Sequence, residues 1–305
     1  MAHVPNVQAN HIASAPRGVV QPKNSLRIGS WSCDQLIHDS GQHQLYAARP
    51  HDRGVGWPLD YVVKVLRREL ETNRILVESL RLEASLGCQV TDSHLAPVIT
   101  AQLTDSPFHI VYPRLPGTAL STWLCGQTAL TTTVALWVAR QTSEALQVLH
   151  RAGWLHGDVK PDNIVIAPNG HGTLIDLGSA RQIGASAHVA ESPFLSTLQY
   201  AAPECYCSRL ATDVRSDIYS VGIVLFECLT GSKPFDGGTA GAVIDAQRRK
   251  PAPDLRRVKP DLPAAVVQLV RSMLAKDPLR RPHSTKDLIR HLIVLEIDTL
   301  RDHAT

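Results

Sequence analysis

His156-Gly157-Asp158-Val159-Lys160-Pro161-Asp162-Asn163 is the stretch on which the reading of this chain turns. Apolar residues at helical spacing precede it (Val138, Leu146, Leu149), and a strand-like Ile164-Val165-Ile166 follows. A polar loop between two buried elements holds its side chains rigidly at the mouth of a cleft. Phosphoryl transfer to a hydroxyl needs a carboxylate to orient the nucleophile and take its proton. It also needs an ammonium to stabilise charge on the moving group, and an amide oxygen for a metal. Asp158, Lys160 and Asn163 fit these jobs in order. Taken alone, the same composition also describes a surface turn, because Asp, Pro and Asn favour turns.

Thr173-Leu174-Ile175 reads as a strand and runs directly into Asp176-Leu177-Gly178. A carboxylate at a strand end, beside a flexible glycine, is placed to hold a magnesium ion bridging phosphates. An Asp-x-Gly turn is common by itself; its position shortly after the first loop makes it informative. With Ala202-Pro203-Glu204, these segments make the chain resemble the eukaryotic-like (Hanks-type) Ser/Thr protein kinase domain from about Leu26 to about Leu300. His156-Gly157-Asp158 stands where that family has His-Arg-Asp, and Asp176-Leu177-Gly178 where it has Asp-Phe-Gly.

The resemblance implies an α+β, bilobal fold. A small antiparallel sheet with one helix spans residues 26–113, a larger, mainly helical lobe spans 114–300, and tails occupy 1–25 and 301–305. It further implies ATP and Mg²⁺ as cofactors and a Ser or Thr of a protein as acceptor. Residues 1–23 mix Pro, Gln, Asn, His and Ala without a period, which predicts a disordered tail.

Composition agrees with such a domain. The 305 residues suffice for two lobes with a sizeable core, and 44% hydrophobic with 19% charged residues is ordinary for a globular protein. A net charge of +3 is too small to imply nucleic acid as a partner. No apolar run is long enough to span a bilayer, and the 6 scattered cysteines read as reduced thiols, which together predict a cytoplasmic location. Most of the 14 histidines read as surface or capping residues. The oligomeric state, the regulator and the identity of the protein substrate are not written in the sequence.

Strand-like segments around Leu36-Ile37, Leu45 to Ala48 and Tyr61 to Leu66 predict an antiparallel meander, with Pro97-Val98-Ile99 and His109-Ile110-Val111 as later strands. The first hairpin, around Ser40-Gly41-Gln42-His43, stands where the family has its glycine-rich loop over the ATP phosphates. The expected glycines are His38, Ser40 and His43, and only Gly41 lies within the turn. Glycine there lets backbone N–H groups approach phosphate, so this is the largest departure from the family, and it leaves an ordinary hairpin with no ligand as the other reading. Ser40 and Gly41 are nonetheless the candidates for contact with the nucleotide.

Lys64, within Val62-Val63-Lys64-Val65, matches the lysine that the family pairs with the ATP phosphates. Leucines at helical spacing from Glu69 to Val90 predict a helix; within it Glu83-Ala84-Ser85-Leu86 resembles the family's helix C, and the resemblance implies Glu83, rather than Glu78, as the carboxylate that pairs with Lys64. Tyr112 to Gly117 has the composition of a hinge, and the resemblance implies that Pro113 and Leu115 offer backbone groups to adenine there. Helices are predicted for Ala119 to Cys125, Thr131 to His150 and Asp213 to Thr230. Thr197, within Ser196-Thr197-Leu198-Gln199-Tyr200, resembles the family threonine that touches the catalytic aspartate together with Lys160. Asp217 resembles the aspartate that holds the catalytic loop, and Arg281 the arginine that pairs with Glu204. Gly157 in place of arginine makes this a non-RD sequence, in which a phosphate on the activation segment is not the main on-switch. A pseudokinase or a small-molecule phosphotransferase of the aminoglycoside kind are the alternative functions.

Overall fold

The computed structural model describes residues 26–54, 56–126, 128–185, 198–206 and 212–302. The expected meander forms from β1 (Leu26–Ile28), β2 (Trp31–Asp39), β3 (His43–Pro50), β4 (Tyr61–Leu66), β5 (Thr100–Gln102) and β6 (His109–Pro113). They make one six-stranded antiparallel sheet in the order β1-β2-β3-β4-β6-β5. The β-branched run Tyr61-Val62-Val63-Lys64-Val65-Leu66 suits a central strand because alternate side chains enter packed surfaces on both faces. Val63 and Val65 pack with Ile28, Cys33, Ala48 and Val111. Leu66, on the opposite face, packs with Val77, Leu80, Ala84 and Ile110. Fully burying a Leu or Val of this kind contributes about 1.5–3 kcal/mol.

Val77, Leu80 and Ala84 belong to helix α1 (Arg74–Gln89). Asn73 caps it, its side chain accepting from the N–H groups of Ile75 and Leu76 at 3.1 and 3.3 Å. The helix therefore starts later than the Glu69 expected from leucine spacing; Arg68–Leu70 form a separate 3-10 turn before the cap. Pro97-Val98-Ile99 is likewise not a strand. The Val98 N–H bonds to the Gly87 carbonyl at 3.2 Å, which ties this segment to α1, and pairing with β6 as a strand is confined to Thr100–Gln102.

The second lobe is built from α2 (Leu120–Trp123), α3 (Thr132–Arg151), α4 (Val214–Thr230), α5 (Ala240–Arg249), α6 (Ala264–Met273) and α7 (Thr285–Asp302). Short strands β7 (Thr118–Ala119), β8 (Trp154–Leu155), β9 (Ile164–Ile166), β10 (Gly172–Leu174) and β11 (Arg181–Gln182) lie against them. Helix α4 is apolar on nearly every side, and Ile218, Val221, Ile223, Val224 and Leu225 are fully buried at the centre of the lobe. Behind it, Arg281 grips Glu204 with two bonds of 2.6 and 2.8 Å, in a pair almost wholly out of solvent. One core cluster crosses between the lobes: Leu86, Val90 and Leu95 pack in the same group as Leu136, Leu146, Ile164 and Leu177. Among the described residues no helix is long and apolar enough to cross a membrane.

Candidate active site

Three charged side chains meet where the two lobes face each other. The Lys64 Nζ on β4 donates to Glu83 Oε2 of α1 at 2.7 Å and to Asp176 Oδ1 at 3.0 Å. Lys64 and Glu83 are 11% and 4% exposed at the side chain, so each charge needs an opposite charge close by. Burial alone would lower the pKa of Lys64, but the Asp176 and Glu83 carboxylates outweigh it and keep the ammonium charged. Tyr112 fixes the far oxygen of Glu83, its hydroxyl donating to Oε1 at 2.6 Å. Glu78 lies instead on the exposed face of α1, paired with Arg81.

The catalytic-type loop hangs from helix α4. Asp217, in the first turn, accepts from the His156 N–H at 2.9 Å and the Gly157 N–H at 3.0 Å, and its Oδ2 also lies 2.8 Å from His150 Nε2. Burial pushes the Asp217 pKa up, but these hydrogen bonds and the imidazoles more than reverse it, leaving it below the ordinary carboxylate value. His156 is fully buried; its Nδ1 accepts from the Asp158 N–H at 3.2 Å, so its Nε2 carries the proton donated to the Ile175 carbonyl at 3.1 Å. The expectation that most histidines are surface or capping residues does not extend to His156 and His109, which are buried and hydrogen-bonded to the backbone carbonyls of Ile175 and Pro107.

Asp158 is the group these bonds hold in place. Its Oδ2 accepts from Lys160 Nζ at 2.7 Å and from Asn163 Nδ2 at 2.9 Å. Its Oδ1 is buried and has no partner among the described residues. Burial raises its pKa, an effect that Lys160 opposes. An orphaned carboxylate oxygen is costly in isolation, and here it supplies an acceptor that a substrate hydroxyl would satisfy.

The residues fit a magnesium ion. Asn163 uses its amide nitrogen on the Asp158 carbonyl at 2.8 Å as well as on the carboxylate, which leaves its amide oxygen for a cation. The Ile175 N–H bonds to the Asn163 carbonyl at 2.9 Å, setting Asp176 beside it. Asp176 takes the left-handed conformation (φ 68°), keeps 40% of its side chain exposed, and is held below the usual carboxylate range because Lys64 outweighs the effect of burial. Hard carboxylate and amide oxygens suit Mg²⁺, which keeps several non-protein ligands. Among the described residues no three His, Cys, Asp or Glu side chains cluster as a self-sufficient metal site.

The remaining expected residues fare unevenly. Pro113 ends β6 opposite Tyr61, and the next residue, Arg114, bonds through its N–H to the Asp60 carbonyl at 2.7 Å. The Leu115 side chain lines a cavity of about 280 Å³ with Leu95, Pro97, Ala167 and His171. In the first hairpin, the Gly41 N–H donates to Asp39 at 2.9 Å, and those of Gln42 and His43 donate to the Ser40 hydroxyl at 3.3 and 2.9 Å. The Ser40 N–H bonds to the His43 carbonyl at 3.0 Å. Ser40 and Gly41 thus have no free backbone donor for phosphate, contrary to expectation, because two short polar side chains close the turn on itself. Thr197 lies outside the described residues. Sequence reasoning missed Ser79, whose hydroxyl donates to the Gly178 carbonyl at 2.7 Å, and His150 behind Asp217. It also missed the side chain of His43, whose register opposite β4 was the available signal.

A sheet lobe presenting a lysine–glutamate pair, joined to a helical lobe presenting Asp158, Asn163 and Asp176, defines a protein-kinase-like fold. Residues 59–293 match the protein kinase domain family, and the chain belongs to that family. Among curated proteins it is 31% identical over 261 residues to the serine/threonine-protein kinase PknA of Mycobacterium tuberculosis, covering 84% of this chain and 59% of that protein. It is 28% identical over 266 residues to a probable serine/threonine-protein kinase of Clostridium perfringens, covering 87% of this chain and 38% of that protein. PknD of M. tuberculosis is 28% identical over 271 residues, covering 88% and 40%. The chain therefore spans between about two fifths and three fifths of the length of these relatives.

Proposed function

We propose that this protein is an ATP-dependent serine/threonine protein kinase of the non-RD type, transferring the γ-phosphoryl group of ATP to a hydroxyl of a protein substrate. The observation that carries this reading is Asp158: one carboxylate oxygen is held by Lys160 and Asn163, and the other is buried and unpartnered. That arrangement orients an incoming hydroxyl and takes its proton, while Lys160 stabilises the transferring group. Lys64 binds phosphate oxygens, its position set by Glu83, and Asn163 and Asp176 hold Mg²⁺, which when bound neutralises charge on the phosphates. Little covalent chemistry is asked of the protein; placement and electrostatics supply the rate. Thr197 would join Lys160 at Asp158, and Pro113 with Leu115 would hold adenine through backbone groups. The family of serine/threonine kinases that the chain resembles acts on proteins, which favours a protein over a small-molecule acceptor.

The test is incorporation of γ-labelled phosphate into the protein itself or a generic basic protein, with Asp158→Asn beside the wild type. Label is expected in the wild type and reduced by a factor of about 10²–10⁴ in the variant; equal labelling would overturn the assignment. A second reading, a nucleotide-binding scaffold without transfer activity, is favoured by one observation, the closed first turn with its engaged N–H groups. Binding of MgATP without labelling would decide for it.

A further inference from the structure

The first hairpin has lost the donors that usually surround a triphosphate in this fold, yet it carries another. His43 begins β3 and pairs with Leu66, two residues along from the Leu45–Lys64 pair. Cross-strand partners share a face of a sheet, and so do residues two apart. His43 therefore lies on the same face as Lys64 and Leu66, the face that covers α1 and the cleft, opposite to Val63 and Val65. Its Nε2 is buried and has no hydrogen-bond partner among the described residues. The register sets it two residues along the strand from the residue paired with Lys64, and the Lys64 ammonium and the Asp176 carboxylate act on the imidazole with opposite sign. Burial above all, and Lys64 with it, depresses its pKa to about 4, so the ring is neutral at physiological pH and does not compete with Lys64 as a second cation.

The hairpin that carries this ring is fixed. Asp39 binds the Gly41 N–H, the Gln44 amide at 3.0 Å and the Arg67 guanidinium, and the Arg67 N–H bonds to the Gln42 carbonyl at 2.9 Å. A buried polar nitrogen without a partner costs free energy unless a ligand completes it, and the anionic group this cleft is built for is a nucleoside polyphosphate.

We propose that the His43 side chain is a phosphate ligand of the bound nucleotide, its Nε2–H donating to a phosphate oxygen in place of the backbone N–H groups engaged within the turn. The inference rests on the cleft being a nucleotide site, as argued above. It makes the substituted turn a different means of holding the triphosphate rather than the loss of one.

Isothermal titration of the full chain with MgATP, MgADP and adenosine, for wild type, His43→Ala and His43→Gln, tests it. Losing one hydrogen bond to a charged acceptor predicts about 10- to 100-fold weaker MgATP binding in His43→Ala. MgADP should weaken also, adenosine should bind unchanged, and His43→Gln, which can still donate, should recover much of the loss. Melting temperatures without nucleotide show whether either variant is damaged; glutamine serves where alanine is. Undiminished or tighter MgATP binding in His43→Ala, or an equal loss for adenosine, overturns the phosphate contact and leaves the kinase reading standing. Wild-type protein that binds no MgATP overturns both.

Discussion

Replacing Asp217 with alanine tests whether helix α4 suspends the loop that carries Asp158. The substitution removes a buried carboxylate that accepts from the His156 and Gly157 N–H groups and from His150. Each orphaned backbone donor costs about 1–3 kcal/mol, and a bond to a charged acceptor about 1.5–3 kcal/mol. These effects share one site and are not additive, so a total loss of roughly 3–5 kcal/mol is expected. For a domain of this size that corresponds to a fall in melting temperature on the order of 10 °C. Urea unfolding followed by circular dichroism measures it, and amide exchange at Gly157 localises it. Asp217→Asn, which retains one acceptor oxygen, should lose less. The sign with pH follows from the depressed carboxylate. Its folded pKa lies below the unfolded value of about 4, so its contribution is complete above that pH and declines as pH falls through the folded pKa. The gap between wild type and Asp217→Asn should therefore narrow in acid. A loss in Asp217→Ala below about 1 kcal/mol, no more than a typical surface change allows, would refute the reasoning.

Glu83→Gln should lower kcat/KM by about 10- to 100-fold, or roughly 1.4–2.7 kcal/mol of transition-state stabilisation, by leaving Lys64 to Asp176 alone. Glu78→Gln, at an exposed pair, should change activity and stability negligibly, as steady-state kinetics and melting would record. Gly157→Ala should destabilise by about 1–2 kcal/mol from its left-handed backbone alone, φ 77°. It should cost more because the added carbon would lie 2.5 Å from the Ser179 carbonyl oxygen, and denaturant midpoints read both. Arg281→Ala leaves Glu204 buried without its cation and should cost about 3–5 kcal/mol by the same measurement.

Much of this architecture was legible because its signals are local. The β-branched run of β4, the apolar helix α4 and the polar loop between α3 and β9 each follow from residue type and spacing. The choice of Glu83 over Glu78 came from the resemblance to the family's helix C, and the structure places Glu83 on the buried face of α1 and Glu78 on the exposed one. What escaped the sequence depends on pairs far apart in the chain. Ser79 meets Gly178 across 99 positions, and His150 meets Asp217 across 67; neither has a pattern of its own. Strand spacing gave the hairpin but not the internal bonding of Ser40, which decides whether its N–H groups face a ligand. The strand at Thr100–Gln102 was misplaced because Val98 is apolar for packing against α1 and its N–H bonds to Gly87, while pairing with β6 begins only at the Ile99 N–H, bonded to the Val111 carbonyl at 2.9 Å.

The bond from Ser79 to the Gly178 carbonyl has a mechanical consequence. A side chain at Gly178 would come within 2.8 Å of the Ser79 oxygen and 3.4 Å of Glu83, so the contact is made without clearance. Helix α1 therefore swings outward by itself only at the cost of this bond, about 0.5–1.5 kcal/mol. While the bond holds, a rotation that withdraws Glu83 from Lys64 also pulls on the segment bearing Asp176, and the grips on phosphate and on cation would let go together, as a single latch.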